Sequence, residues 1–153
     1  MMRYSIIMVF MALSFRLSAD TPEFYARKGQ IETGVPAGLT LAVAAHESGG
    51  NLSHKPKKCF DGSFDLGAGF NSRWVKWYAE RFNGGEKIRT SDPVSILVVA
   101  RILAWNHRTL GDWPRALTAY RRGQSWTKAN GIDTHYVDMI IKELSDGPPL
   151  LLW

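Results

Sequence analysis

Gly38-Leu-Thr-Leu-Ala-Val-Ala-Ala-His-Glu-Ser-Gly-Gly-Asn51 is a mostly apolar segment that ends in two glycines and an asparagine. Its apolar residues recur at helical spacing, and Pro36 stands in a first turn, where no intrahelical N–H is needed. Gly49 and Gly50 are typical of a helix end, so we predict a helix over Pro36–Ser48. Because three residues of this stretch are alanines, neighbouring helices can approach it closely.

Glu47 falls in the last turn of this predicted helix, one helical turn beyond Val43. A carboxylate in that position meets the negative end of the helix dipole, and apolar neighbours would desolvate it. Both effects favour the protonated acid, which suits a group that donates a proton near neutral pH. An ordinary acid at a frayed, solvated helix end is the alternative interpretation.

Length and composition limit the classes of protein to which the chain can belong. A chain of 153 residues with 45% hydrophobic and 22% charged residues is typical of one globular domain. This composition excludes a disordered or collagen-like chain. The net charge of +5 favours an acidic or polyanionic environment, such as nucleic acid or the anionic polymers of a cell envelope, and does not choose between them.

The first residues resemble a secretory signal. Arg3 precedes an apolar run over residues 6–13, and Ser18-Ala19 offers small residues for cleavage. The run is short for a membrane span, so we predict a signal peptide over residues 1–19 and an exported protein of the periplasm or cell envelope. An uncleaved anchor or a buried first helix is the alternative. Removal of residues 1–19 lowers the net charge from +5 to +3, which argues against nucleic acid as the partner.

Apolar periodicity predicts about six helices and no convincing strand, and hence an all-α fold in one domain over residues 20–146 with a tail over 147–153. The connection 49–69 is long enough to be functional. Cys59 is the single cysteine, so neither an internal disulfide nor zinc-ligand spacing is present in the sequence. The predicted helices cover residues 22–32, 36–48, 72–82, 91–109, 111–122 and 133–144.

Several blocks together resemble the lytic transglycosylases, the soluble lytic transglycosylase branch of the lysozyme superfamily. The family's catalytic helix ends in Glu-Ser, as this helix does at Glu47-Ser48, and later blocks follow in the family's order. The resemblance covers roughly residues 22–144 and implies a lysozyme-like fold. The blocks that carry it are Val35-Pro36, Ala42-Val43-Ala44, Glu47-Ser48-Gly49, Asp65-Leu66-Gly67, Ala116–Gly123 and Tyr136-Val137.

The resemblance implies cleavage of the MurNAc–GlcNAc β-1,4 bond of peptidoglycan strands, without metal or cofactor. Glu47 would be the general acid and base, and the 6-hydroxyl of the muramic acid would attack to give a 1,6-anhydro product. Ordinary glycosidases need a second carboxylate, for which Asp61 and Asp65 are the nearest loop candidates. A hydrolytic muramidase using the same Glu47 and a non-catalytic peptidoglycan-binding or assembly component are the alternatives.

The resemblance also implies a set of substrate-binding residues. Tyr120 would place its hydroxyl near Glu47 and orient it, and Trp126, in a predicted turn, is the best aromatic candidate for the cleft. The chain departs from the family at Ala68-Gly69-Phe70, where Leu-Met-Gln is usual, and at Arg121, where the family has Asn. A buried core tyrosine and a serine capping nearby carbonyls are the structural alternatives. The predicted substrate-binding residues are Ser48, Gly67, Asn71, Tyr120, Trp126 and Tyr136.

Overall fold

The computed structural model describes residues 20–53, 55–147, 151 and 153, and the predicted signal peptide over 1–19 lies outside them. Within the described part the chain is mostly helical, which confirms the fold class. No helix among these residues is long and apolar enough to span a membrane. The helices are α1 (Pro22–Thr33), α2 (Ala37–Ser48), α3 (Val75–Phe82), α4 (Ser95–Leu110), α5 (Trp113–Arg122), α6 (Gln124–Asn130) and α7 (Thr134–Ser145).

Helix α2 lies at the centre of the fold and confirms the helix predicted over Pro36–Ser48, except that Pro36 precedes the first helical residue. Its small side chains let α1, α4 and α7 all pack against it. Gly49 ends the helix with a φ of 63° and donates its N–H to the carbonyls of Ala45 and His46. Glu47 is thereby fixed in the last turn, next to α7.

Helix α4 supplies the other large share of the core, with ten buried residues. It begins at Ser95, later than predicted, because Asp92 uses its side chain to accept from the N–H of Val94 and forms a turn first. Arg101 ties α4 to α1 through Nε and Nη2, which lie 2.7 and 3.0 Å from the carboxylate oxygens of Glu32. These hydrogen bonds lower the pKa of Glu32 below its ordinary value.

A small antiparallel sheet corrects the prediction that the chain has no strand. Its strands are β1 (Lys57–Lys58), β2 (Phe64–Gly67) and β3 (Phe70–Asn71), in the order β1-β2-β3. Asp65 pairs with Asn71 and Gly67 with Phe70, so Ala68 and Gly69 form a two-residue hairpin turn. Strands of two to four residues are too short to show an alternating apolar pattern, which is why the sequence does not reveal them.

The segment around Trp126 is a second correction, because the predicted turn is helix α6. Gly123 precedes its first turn, and the Thr127 hydroxyl donates to the Gly123 carbonyl at 2.9 Å. Only Thr127 is buried in this helix, so no apolar periodicity marks it in the sequence. Helix α3 also begins three residues later than predicted, at Val75.

Helices α1 and α4 touch at Gly29, and this contact generates a stability prediction. A Cβ at Gly29 would lie 2.6 Å from the Cβ of Ala100, whereas a Cβ at Gly38 in α2 would meet nothing closer than 3.6 Å. Gly29→Ala should lower the free energy of unfolding by about 1–3 kcal/mol, because overpacking outweighs the gain in helix propensity of about 1 kcal/mol. Gly38→Ala, the matched control, should leave it unchanged or raise it by up to about 1 kcal/mol. Urea unfolding of the two variants measures both, and equal effects would contradict the packing argument.

Candidate functional site

Glu47 projects from the end of α2 into the space between α2, α5 and α7. The residue as a whole is half-buried, but its Oε1 atom is buried and has no hydrogen-bond partner among the described residues. An unpaired buried carboxylate oxygen is rare in folded proteins, because burial removes water without a replacement partner. Such an atom is a candidate for a group that binds or protonates a ligand.

Tyr136 brings α7 to the same place. Its side chain is fully buried, and its hydroxyl, like Oε1 of Glu47, has no hydrogen bond of good geometry within the described part of the chain. Burial, then the negative charge of Glu47, and then a hydrogen bond to Glu47 raise the pKa of Tyr136. The carboxyl group of Glu47 and the Tyr136 hydroxyl are therefore neighbours, and the phenol stays protonated. His46 packs edge-on against the same ring, with the ring centroids 5.5 Å apart.

Tyr120 on α5 completes the group, although its hydrogen bond differs from the predicted one. Its hydroxyl donates to the Ala68 carbonyl at 2.6 Å rather than to Glu47. Burial and then the charge of Glu47 raise the pKa of Tyr120 well above its ordinary value, so the side chain still lies within electrostatic reach of the carboxylate. Residues from α2, α5 and α7 thus meet at one point.

The hairpin turn between β2 and β3 is held against Tyr120. Ala68 has a φ of 52° and Gly69 a φ of 83°, the left-handed conformations that a two-residue hairpin requires. Ala68 is fully buried there, and a Cβ at Gly69 would lie 2.6 Å from Cε1 of Tyr120. Gly67, a predicted substrate-binding residue, is buried at the end of β2 just before this turn. Backbone and ring are therefore in direct contact.

A groove of about 390 Å³ opens beside Tyr120 and this turn. Asn71 lines it, but its side-chain nitrogen donates to Ser63 Oγ at 2.8 Å, and its oxygen accepts from the Arg73 N–H at 2.8 Å. Asp61 also lines it and pairs with Arg73 at 3.2 Å. The lining residues are Asp61, Gly69, Asn71, Trp74, Tyr78, Tyr120, Arg121, Arg122 and Gly123.

Of the six predicted substrate-binding residues only Asn71 and Tyr120 line the groove, and Glu47 does not line it either. Ser48 is buried, and its hydroxyl donates to the Ala45 carbonyl at 3.4 Å, the capping arrangement considered as its alternative. Trp126 is 37% exposed on α6, and the guanidinium carbon of Arg122 lies 5.3 Å from the centre of its ring. The structure therefore places Asn71 and Tyr120 at the groove and Tyr136 next to Glu47, with Gly67 just before the hairpin turn. Ser48 and Trp126 lie elsewhere.

Most residues that line the groove lie outside the predicted set, and Trp74 and Arg121 are the most informative of them. Trp74, 56% exposed, lines the groove although its apolar neighbours in the sequence suggest a core position. Arg121 lines the groove too, and its guanidinium carbon lies 5.1 Å from the centre of the Tyr136 ring. In the sequence, the only indication that Arg121 belongs to the site is that the family has Asn at this position. Within the described residues, no group of three or more His, Cys, Asp or Glu side chains is placed to hold a metal ion.

The contact between Gly69 and Tyr120 predicts a difference between two glycines that share the same φ angle. Gly69 and Gly62 both have a φ of 83°, but a Cβ at Gly62 would meet no atom within 4 Å. Gly62→Ala should lower the free energy of unfolding by about 1 kcal/mol, the cost of a left-handed alanine. Gly69→Ala should lose about 1–3 kcal/mol more, because its Cβ also overlaps the Tyr120 ring. Thermal unfolding of the two variants measures both losses of stability. Equal losses would show that the Tyr120 ring moves aside at no energetic cost.

The chain matches the transglycosylase SLT domain over residues 24–136, a span that runs from the first turn of α1 to the first turn of α7. No curated protein and no solved structure matches the chain. The matched span contains Glu47, Tyr120 and the hairpin turn, and it ends at Tyr136. With its mostly helical, lysozyme-like fold, the chain belongs to the SLT family of transglycosylase domains, which act on peptidoglycan.

Proposed function

We propose that this chain is a lytic transglycosylase that cleaves the MurNAc–GlcNAc β-1,4 bond of peptidoglycan with Glu47 as its acid and base. The observation that carries the proposal is the buried Oε1 of Glu47, which forms no well-aligned hydrogen bond among the described residues and lies beside the protonated Tyr136 hydroxyl. A carboxyl group held next to a neutral phenol, with a buried oxygen that is poorly satisfied, is typical of a site that binds or protonates a ligand.

In the first step, protonated Glu47 donates its proton to the glycosidic oxygen as that bond breaks and positive charge builds on the MurNAc ring. In the second step, the 6-hydroxyl of the same sugar attacks C1 and gives its proton to the Glu47 carboxylate. The 1,6-anhydro bond replaces the glycosidic bond, no water is consumed, and Glu47 regains its starting state. One carboxyl group is enough for these two reaction steps.

The surroundings of Glu47 support a single-carboxylate mechanism. Asp61 is already paired with Arg73, and the Asp65 carboxylate accepts from the Gly67 N–H at 2.9 Å. Tyr136 is protonated and so can donate to the carboxylate formed in the first step, which would stabilise that intermediate charge. Tyr120 would close the site through its contact with the hairpin turn, limiting the access of water.

The remaining predicted residues take positioning roles in this proposal. Gly67 would set the hairpin turn, and Asn71 would line the glycan groove. Ser48 would act through the carbonyls at the end of α2, and Trp126 would offer a sugar contact further along the strand. We also propose that residues 1–19 direct export to the periplasm or envelope, where the polymer is found.

Product analysis with a Glu47→Gln variant tests the proposal. The wild-type protein should release muropeptides with anhydro ends, which mass spectrometry identifies by the missing elements of water. Glu47→Gln should slow release by about 10²–10⁴-fold, because it removes a general acid and base without changing shape. Glu80→Gln, at an exposed position on α3, removes the same charge outside the site and should leave the rate unchanged.

The products separate the alternatives. Reducing ends that depend on Glu47 would indicate a hydrolytic muramidase instead. Binding to peptidoglycan without any release by the wild-type protein would favour a non-catalytic component, a possibility motivated by Arg121 and the altered hairpin turn. Release that persists in Glu47→Gln would reject Glu47 as the catalytic residue.

A further inference from the structure

The charges along the groove are compensated at every lining residue but one. Asp61 pairs with Arg73 at 3.2 Å, and Arg122 pairs with Asp133, with Nε and Oδ2 3.0 Å apart. Asp133 is fully engaged, because its other oxygen accepts from the Tyr136 N–H at the start of α7. Arg121 forms no ion pair with any residue that the structure describes, although its charge helps to lower the pKa of Asp133. Its guanidinium group is therefore the one in the groove lining without a carboxylate partner at contact distance among the described residues.

Arg121 is also held in a defined place. Its guanidinium group lies over the face of the Tyr136 ring, and its positive charge partly opposes the rise in the pKa of Tyr136. A cation–π contact occupies one side of the guanidinium and uses none of its N–H groups in an ion pair. Because the Tyr136 hydroxyl is next to Glu47, Arg121 and Glu47 are neighbours of the same tyrosine side chain.

We propose that Arg121 is a specificity-determining residue that binds a carboxylate of the substrate beside the scissile bond. The inference rests on the proposed function, since it takes the groove as the glycan groove. The planar edge of a guanidinium can bind a carboxylate through two parallel hydrogen bonds and opposite charge. Asparagine is uncharged and cannot provide this interaction. Two carboxylates have this chemistry: the lactyl group of a MurNAc whose stem peptide has been removed, and the acidic groups of the stem peptide itself.

Calorimetric titration of the full chain carrying Glu47→Gln tests this without requiring turnover. Three soluble ligands are compared: neutral chito-oligosaccharides, MurNAc–GlcNAc oligosaccharides stripped of peptide, and the same oligosaccharides with stem peptides. Arg121→Asn should weaken binding of at least one anionic ligand by about tenfold or more, with little change for the neutral one. Arg121→Lys should recover part of the loss, because it keeps the charge and loses the two-bond geometry.

Arg108→Asn is the matched control, since it removes the same charge from an exposed position on α4 that does not line this groove. A loss confined to the stripped strands assigns the lactyl carboxylate, and a loss confined to the peptide-bearing strands assigns the stem peptide. The inference is wrong if Arg121→Asn leaves both anionic ligands unaffected, weakens the neutral ligand equally, or acts no more strongly than Arg108→Asn. Because binding is measured apart from cleavage, a protein that binds in this way but releases no muropeptides would reject the proposed catalysis and keep the role of Arg121.

Discussion

The hydrogen bond from the Tyr120 hydroxyl to the Ala68 carbonyl connects the two parts of the molecule that form the site. It spans 52 residues of sequence and joins the hairpin turn of the sheet to α5. Ala68 holds a left-handed conformation that is unfavourable for a residue with a Cβ, and such conformations persist only where surrounding contacts enforce them. The Tyr120 bond and the close fit of Gly69 against the ring are those contacts.

The electrostatics of the site follow from the same arrangement. Tyr136 lies next to Glu47, and Tyr120, held against the turn, lies within electrostatic reach of it. Burial raises the pKa of both phenols, so each remains a neutral neighbour and a possible donor. The nearby positive charge is supplied by Arg121, which sits over one of these rings rather than in an ion pair. The site thus combines a carboxyl group, two neutral hydroxyl groups and one cation within a small, partly closed space.

The sequence predicts the helical framework well for a physical reason. Helices α2, α4 and α7 bury apolar side chains over much of their length, so their apolar segments are visible in the sequence without knowledge of their neighbours. Helix α6 buries only Thr127, and the strands have two to four residues, so neither leaves a readable pattern. Sequence patterns therefore predict an element only where it buries apolar side chains along much of its length.

The site is predictable to a smaller extent, because its key contacts are long-range. Glu47 can be singled out from its own helix, and Tyr120 and Tyr136 from their family blocks. The Tyr120 hydroxyl donates to a backbone carbonyl in the hairpin turn, and no sequence motif predicts the conformation of that turn. The stacking of Arg121 on Tyr136 likewise depends on how α5 and α7 meet, which the sequence does not state.

The close contact of α1 with α4 has a consequence for how this protein can vary. Gly29 and Ala100 occupy what is in effect one shared volume, since a Cβ on the first would lie 2.6 Å from the Cβ of the second. Neither position can therefore gain an atom unless the other loses one or the helices move apart. A separation of these helices would also disturb the pairing of Glu32 with Arg101. Substitutions at Gly29 and Ala100 must therefore compensate each other, although 71 positions separate the two residues along the chain.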